Sequence, residues 1–332
     1  VPDIESTLRD FAERDFDLVI AHGFEWGDPA LRVGKDYPNT KFVVFTGLTS
    51  GPNVASIFPM QQEGTFVLGA LGAMMSKTDV IGFVGGQDYP NLINIYEGYK
   101  QGAMYINPDV KVLVSWTGDW DDPTKGREAA NAQIAQGADV LFHTADTAGQ
   151  GVIRAAQEKG IFAFGAVADQ NNLAPDTVLS SFVLDIPKAF DMAYTMTAQG
   201  KFSGELMKPG LETGPNGPGT GIVYTAPYHD LEDKVPQDVK ARIEQLKQDI
   251  ISGKIVVPER HEYSKAAEMM EKELKVALVT DASFSDGGWG TTAFNSIKSL
   301  ESKYGVTPGL AENVPVPDIE STLRDFAERD FD

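Results

Sequence analysis

KVALVTDASFSDGGWG, residues 275–290, decides the fold. Val276–Val279 is a short, continuous apolar run, the pattern of a strand buried on both faces. Asp281 closes it. A loop carrying Phe284, Asp286, Gly287, Gly288 and Trp289 follows, and Phe294, Ile297 and Leu300 then recur at helical spacing. Strand, loop and helix in that order form the first unit of a doubly wound sheet, in which ligands gather at the carboxyl ends of the strands. Yet this unit lies near the end of the chain.

A repeat accounts for the order. Residues 1–17 read VPDIESTLRDFAERDFD, and residues 316–332 read the same without one change. Joining residue 332 to Leu18 produces a continuous β-α series that starts near Lys275 and ends near Tyr263. The chain is therefore expected to be a circular permutant, engineered, with one helix duplicated across the new ends. Ile4, Leu8, Phe11 and Ala12 carry the helical reading, with Asp3 as cap. A helical copy left undocked would be free to invade a neighbour and produce a domain-swapped dimer.

Elsewhere, strands alternate with helices almost without exception, so the sheets are expected to be mostly parallel. Ten or eleven strands exceed one comfortable sheet. Two α/β domains are preferred, with one crossing at residues 53–62 and a second after the strand at 178–183. Residues 202–220, rich in Gly and Pro, read as a long loop. The resulting division places residues 272–332, 1–58 and about 186–224 in domain I. Domain II takes about 59–185 and 225–262, and 263–274 joins the native termini.

Composition narrows the function. The 332 residues carry a net charge of −20, which argues against a nucleic-acid partner because phosphate contact needs a basic surface. The sequence has no Cys, which removes thiol catalysis, disulfides and thiolate-bound zinc. The most apolar helical stretch, Phe66–Met75, is too short to cross a membrane. The chain starts inside a fold element, as a mature or recombinant form would.

Candidate site residues cluster at strand ends. All four tryptophans, Trp26, Trp116, Trp120 and Trp289, lie just beyond a strand, and Phe24 and Phe284 share such loops. Exposed aromatics on loops imply something to bury against, and flat walls suit a flat ring. Thr46 ends the strand at 41–45. Acids recur at the same level: Asp88, Asp122, Asp146, Asp169, Asp185, Asp281 and Asp286. Asp122 before Pro123 reads first as a helix cap, and Asp146 reads equally as cap or ligand group. His143 stands at a strand end without partners spaced for a metal. No nucleophile elbow, dinucleotide fingerprint or phosphate loop is present. A pocket is expected, with no catalytic residue, metal or cofactor.

With the permutation undone, the chain resembles the basic membrane lipoprotein family, substrate-binding proteins of ABC importers best known for purine nucleosides. ALVTD (277–281) with Asp286 and Trp289, HGFEWGD (22–28), NVAS (53–56) with Glu63-Gly64, and IGFVGG (81–86) carry the likeness. So do EGYKQG (97–102), DPTKG (122–126), QGADVLF (136–142) and DQNNLAPD (169–176). The resemblance implies a type I periplasmic-binding-protein fold, with two α/β domains and a hinged cleft, in a periplasmic or cell-surface protein that meets importer membrane subunits. It puts Trp289 on the base-stacking wall in place of a Phe, and Asp281 and Asp286 in the ligand loop. Asp169 matches the second acid of an Asp-Xaa-Asp-Gln motif whose first position is Val167. A Lys expected after Val183–Leu184 is missing, with Asp185 close by. The expected ligand is a purine nucleoside or a free purine base. The alternatives are a ligand-responsive sensor without transport and an enzyme processing the same nucleosides.

Overall fold

The computed structural model describes residues 4–214, 220–262, 277–280, 283–285, 289–304 and 309–315, with 318, 321, 322 and 324. The chain divides into two compact units, Val1–Tyr263 and Ser264–Asp332.

The first unit opens with α1 (Ile4–Glu13), β1 (Leu18–His22), α2 (Gly27–Asp36), β2 (Lys41–Phe45) and β3 (Val54–Ile57). These strands pair in parallel. Phe42, Val43, Val44 and Phe45 are all fully buried, as a strand covered on both faces requires. The amphipathic reading of α1 holds: Leu8 and Ala12 are buried, and Ile4 and Phe11 pack on the same cluster as Val19, Val33 and Val44. Asn53 closes the turn beneath. Its amide donates to the carbonyls of Gly34, Tyr37 and Thr40 at 3.0, 2.9 and 2.8 Å.

The chain then crosses through Phe58–Met60 into α3 (Gln61–Met75) and a second sheet. That sheet is built from β4 (Val80–Gly85), α4 (Pro90–Ile106), β5 (Lys111–Trp116), α5 (Pro123–Ala135) and β6 (Val140–Thr144). It continues with α6 (Asp146–Lys159), β7 (Phe162–Val167) and β8 (Val178–Leu184). After β8 the chain leaves again, into α7 (Ile186–Ala198), which packs against β1 and β2. The stretch expected to be loop contains a two-residue strand, β9 (Leu206–Met207), which pairs with Ser56 and Ile57. Two residues are too few for any periodicity to register. The chain returns to β10 (Val223–Thr225), antiparallel to β8, and then to α8 (Gln237–Ile251). The strand orders are β1-β2-β3-β9 and β10-β8-β7-β6-β4-β5.

The second unit holds β11 (Ala277–Val279), α9 (Trp289–Tyr304) and β12 (Gly309–Ala311), two parallel strands joined through a helix. The run expected to be buried on both faces is only half-buried, since among the described residues β11 pairs with β12 alone. The expected join at 263–274, most of the second repeat copy, and Asp281 and Asp286 lie outside the described residues.

The tightest packing is between α3 and α4. α3 is buried almost all round, which marks a helix inside a core. A Cβ on Gly69 would lie 1.8 Å from the Tyr99 carbonyl oxygen, and one on Gly102 would lie 1.8 Å from that of Phe66. Backbone meets backbone, and nothing flexible is there to yield. Gly69→Val and Gly102→Val are each expected to cost about 3 kcal/mol or more, read as a lower urea midpoint. An unchanged midpoint would show that the helices separate freely.

Candidate functional site

The carboxyl ends of both sheets in the first unit surround a cavity of about 330 Å³. His22 ends β1, and Phe45 and Thr46 end β2. His143 and Thr144 end β6, Ala166 and Val167 end β7, and Leu184 ends β8. Gln61 begins α3, Asn91 and Leu92 begin α4, Asp146 begins α6 and Ile186 begins α7. Trp120 and Gln170 reach the cavity from the loops after β5 and β7.

Three lining residues have positive φ without being glycine: Thr46 at 65°, Asp146 at 46° and Val167 at 67°. For β-branched Thr and Val this is a true outlier. Such strain persists only where the surroundings impose it, and it concentrates at functional sites. At Thr46 the backbone N–H donates to the Ile57 carbonyl at 2.8 Å, and the hydroxyl donates to the Phe45 carbonyl at 2.6 Å.

His143 is 1 % exposed. Gln170 Oε1 accepts the Ala166 backbone N–H at 3.0 Å and lies 2.9 Å from His143 Nε2. A carbonyl oxygen only accepts, so Nε2 carries the proton and Nδ1 of the neutral ring is left as an acceptor. Nδ1 and the Thr144 hydroxyl are buried without a hydrogen-bond partner among the described residues. Burial pushes the His143 imidazole down to about 4, against a smaller opposing effect of the Gln170 bond. Gly149 belongs to this arrangement, since a Cβ there would lie 1.9 Å from Nδ1. Asp146 is held above the usual carboxylate range, by burial first and by Asp121 second. Among the described residues it is the one acid on the cavity, and no Lys or Arg lines it.

The structure therefore brings Thr46, Trp120, His143 and Asp146 together and leaves other expected residues elsewhere. Trp116 packs edge-on against Phe83 at 5.7 Å and joins the core. Trp26 lies in a 3-10 turn (Phe24–Trp26) and packs on the cluster beneath α1. Phe24 is exposed beside it, and Asp88 is exposed ahead of α4. Each indole takes the nearest apolar surface, and for Trp26 and Trp116 that surface is local. Asp185 caps α7, accepting the Lys188 N–H at 3.0 Å. Asp122 caps α5, accepting the Thr124 N–H at 2.8 Å, as expected. The cap alternative for Asp146 is corrected: Asp146 is the first helical residue, and Ala145 precedes it without a side-chain cap bond. Asp169 meets His229 instead of the cavity. Phe284 stacks on Phe294 at 4.9 Å within the second unit, and Trp289 opens α9. Gln61, Asn91, Thr144 and Gln170 escaped the sequence reading. Thr144 and Gln170 share one signal, a place just past a strand end. His22, not among the candidate site residues, joins the lining.

The ABC transporter substrate-binding protein PnrA-like family matches residues 2–261. A purine-binding protein of Brucella abortus is 30% identical over 281 residues, covering 83% of this chain and 77% of the relative. Basic membrane protein A of Borreliella afzelii is 30% identical, with 81% of each chain covered. A solute-binding protein of an ABC transporter system from Aeropyrum pernix shares the fold, with a TM-score of 0.69 at 24% identity over 81% of this chain and 84% of that one.

The buried imidazole has a consequence for stability. The unfolded chain takes up a proton near pH 6.5, whereas folded His143 does so only near pH 4. Stability is therefore lost as pH falls from about 6.5 to about 4, by on the order of 3 kcal/mol from this group. In His143→Gln the difference from the parent should shrink by that amount across the window, measured by urea unfolding at pH 7, 5.5 and 4. Parallel pH profiles would mean that the ring is open to solvent.

Proposed function

Because the chain belongs to the PnrA-like family of ABC transporter substrate-binding proteins, which bind solutes without transforming them, we propose that its cavity captures a purine nucleoside or a purine base for an importer. The supporting observation is the chemistry of the lining. Trp120 supplies a flat wall, held by Gly86, whose Cβ would meet the ring at 2.3 Å, and by Tyr89 at 6.5 Å between ring centroids. Around it stand amides, hydroxyls, two imidazoles and one carboxylate. Amides and hydroxyls match the alternating donors and acceptors of a purine edge, and unpaired buried groups discriminate strongly between ligands that satisfy them and ligands that do not. With no Lys or Arg among the described lining residues and Asp146 present, a phosphorylated nucleotide is disfavoured. The B. abortus relative, named for purine binding, supports the same class. Thr46, Trp120, His143 and Asp146 are the ligand contacts on this reading, with Gln61, Asn91, Thr144 and Gln170 beside them. The protein would work outside the cytoplasmic membrane, delivering ligand to the importer's membrane subunits.

We also read the chain order as a circular permutation. The family match stops at residue 261, and the tail carries a strand–helix–strand unit followed by a second copy of the α1 sequence. In family order that tail precedes Leu18. A swapped dimer through the duplicated segment is the associated risk.

Calorimetry with adenine, guanine, guanosine, inosine and uric acid should give saturable heat with at least one of them. Trp120→Ala should weaken that ligand about tenfold or more, since stacking on an aromatic ring is worth about 1–3 kcal/mol. Absence of heat with all five would sink the purine reading. Removing residues 316–332 should leave affinity and stability unchanged, because α1 carries the same sequence. A collapse of either on that deletion would refute the redundancy of the copies.

A further inference from the structure

Asp169 and His229 are hydrogen-bonded between segments far apart in sequence, with His229 Nε2 2.6 Å from Asp169 Oδ2. Both residues are exposed. The pair sits at a sensitive place. Asp169 belongs to the loop after β7, between two residues that line the cavity: Val167, at φ 67°, and Gln170. Further ties of this loop run to β8. The Gln170 N–H donates to Ser181 Oγ at 3.1 Å, and the Asn171 amide donates to the Val178 carbonyl at 3.1 Å. Asp169 Oδ1 accepts the Asn171 N–H at 3.2 Å, so the carboxylate is braced on one oxygen while the other meets His229. His229 begins the 3-10 turn His229–Lys234 after β10, at a positive φ of 48°.

We propose that Asp169 and His229 are positioning residues for the ligand cavity: their hydrogen bond straps the loop after β7 to the turn after β10 and so fixes Gln170, and with it His143, for ligand binding. This rests on the cavity being the ligand site. Gln170 is the link, because its Oε1 holds both the Ala166 N–H and the His143 ring.

Other polar and charged groups stand around His229. β8, packed against the turn, carries no titratable side chain. β10 contributes Tyr224, whose hydroxyl is held above its usual range by burial first and then by Asp185 and Asp169. The turn itself contributes Asp230, Glu232, Asp233 and Lys234, and Glu232 is engaged by Lys240 at 2.6 Å.

The test compares the parent with His229→Asn, a residue that tolerates positive φ, and with Asp169→Asn. Adenine and guanosine affinities are measured for the parent, the two variants and the double variant. An exposed contact of this kind is modest, so each single variant should bind about threefold more weakly than the parent. The double variant should lose no more than either single one, because both changes remove the same contact. Single variants that bind like the parent would overturn the proposal, as would additive losses in the double variant. A ligand-free measurement separates this from failure of the purine reading. Hydrogen exchange of amides 168–173, corrected for intrinsic rates, should accelerate in both single variants. Unchanged exchange refutes the strap whether or not any purine binds.

Discussion

Parallel pairing is the constraint on which the rest of the first unit depends. A strand that pairs in parallel with its neighbour cannot return by a hairpin; it must pass over a face of the sheet, usually as a helix. Every strand of such a sheet therefore ends at the same edge. Two sheets of this kind, parallel except for β10, are connected here by short crossings, at 58–60 and after Leu184, with a return between β9 and β10. The ends of β1 and β2 on one side, and of β6, β7 and β8 on the other, line one cavity. The helices that start beside it add their first residues.

The cavity rim is the part of the unit where local preference is overruled. Thr46 and Val167 are β-branched residues held at positive φ, and Asp146 joins them. Thr144 and His143 keep polar atoms buried without a partner. Each such feature costs free energy in the empty protein. The core around them, dominated by buried Phe, Val, Leu and Ala side chains, supplies enough burial to hold the rim in place. A ligand that satisfied those polar atoms would recover part of the cost.

The repeated segment illustrates a different point about specificity. α1 is seated by Leu8 and Ala12 and by an ion-pair network in which Glu5 meets Arg9 and Arg32, Arg9 meets Asp36, and Tyr37 bonds Glu13. Residues 316–332 carry the same side chains in the same order. Side-chain complementarity cannot rank two identical sequences. Only the connections at each end of a copy can make one of them the better occupant.

Local patterning by itself determined most of the elements, though not the two-residue β9. Continuous apolar runs gave the strands, the α1 stripe its helix, Asp122-Pro123 its cap, and the alternation of strand and helix the mostly parallel sheets. These features act over a few residues, so a sequence displays them directly. Position past a strand end likewise brought Thr46, Trp120, His143 and Asp146 into view. Which of the loop aromatics and acids would share a cavity was decided only by the tertiary structure. Trp116 turns into the core beside Phe83, Trp26 covers the cluster under α1, Asp185 caps a helix and Asp169 pairs with His229. Gln61 and Asn91 reach the cavity because helices α3 and α4, which lie backbone to backbone, begin beside it. A side chain's partner is set by contacts between segments tens of residues apart, and spacing along the chain carries no record of them.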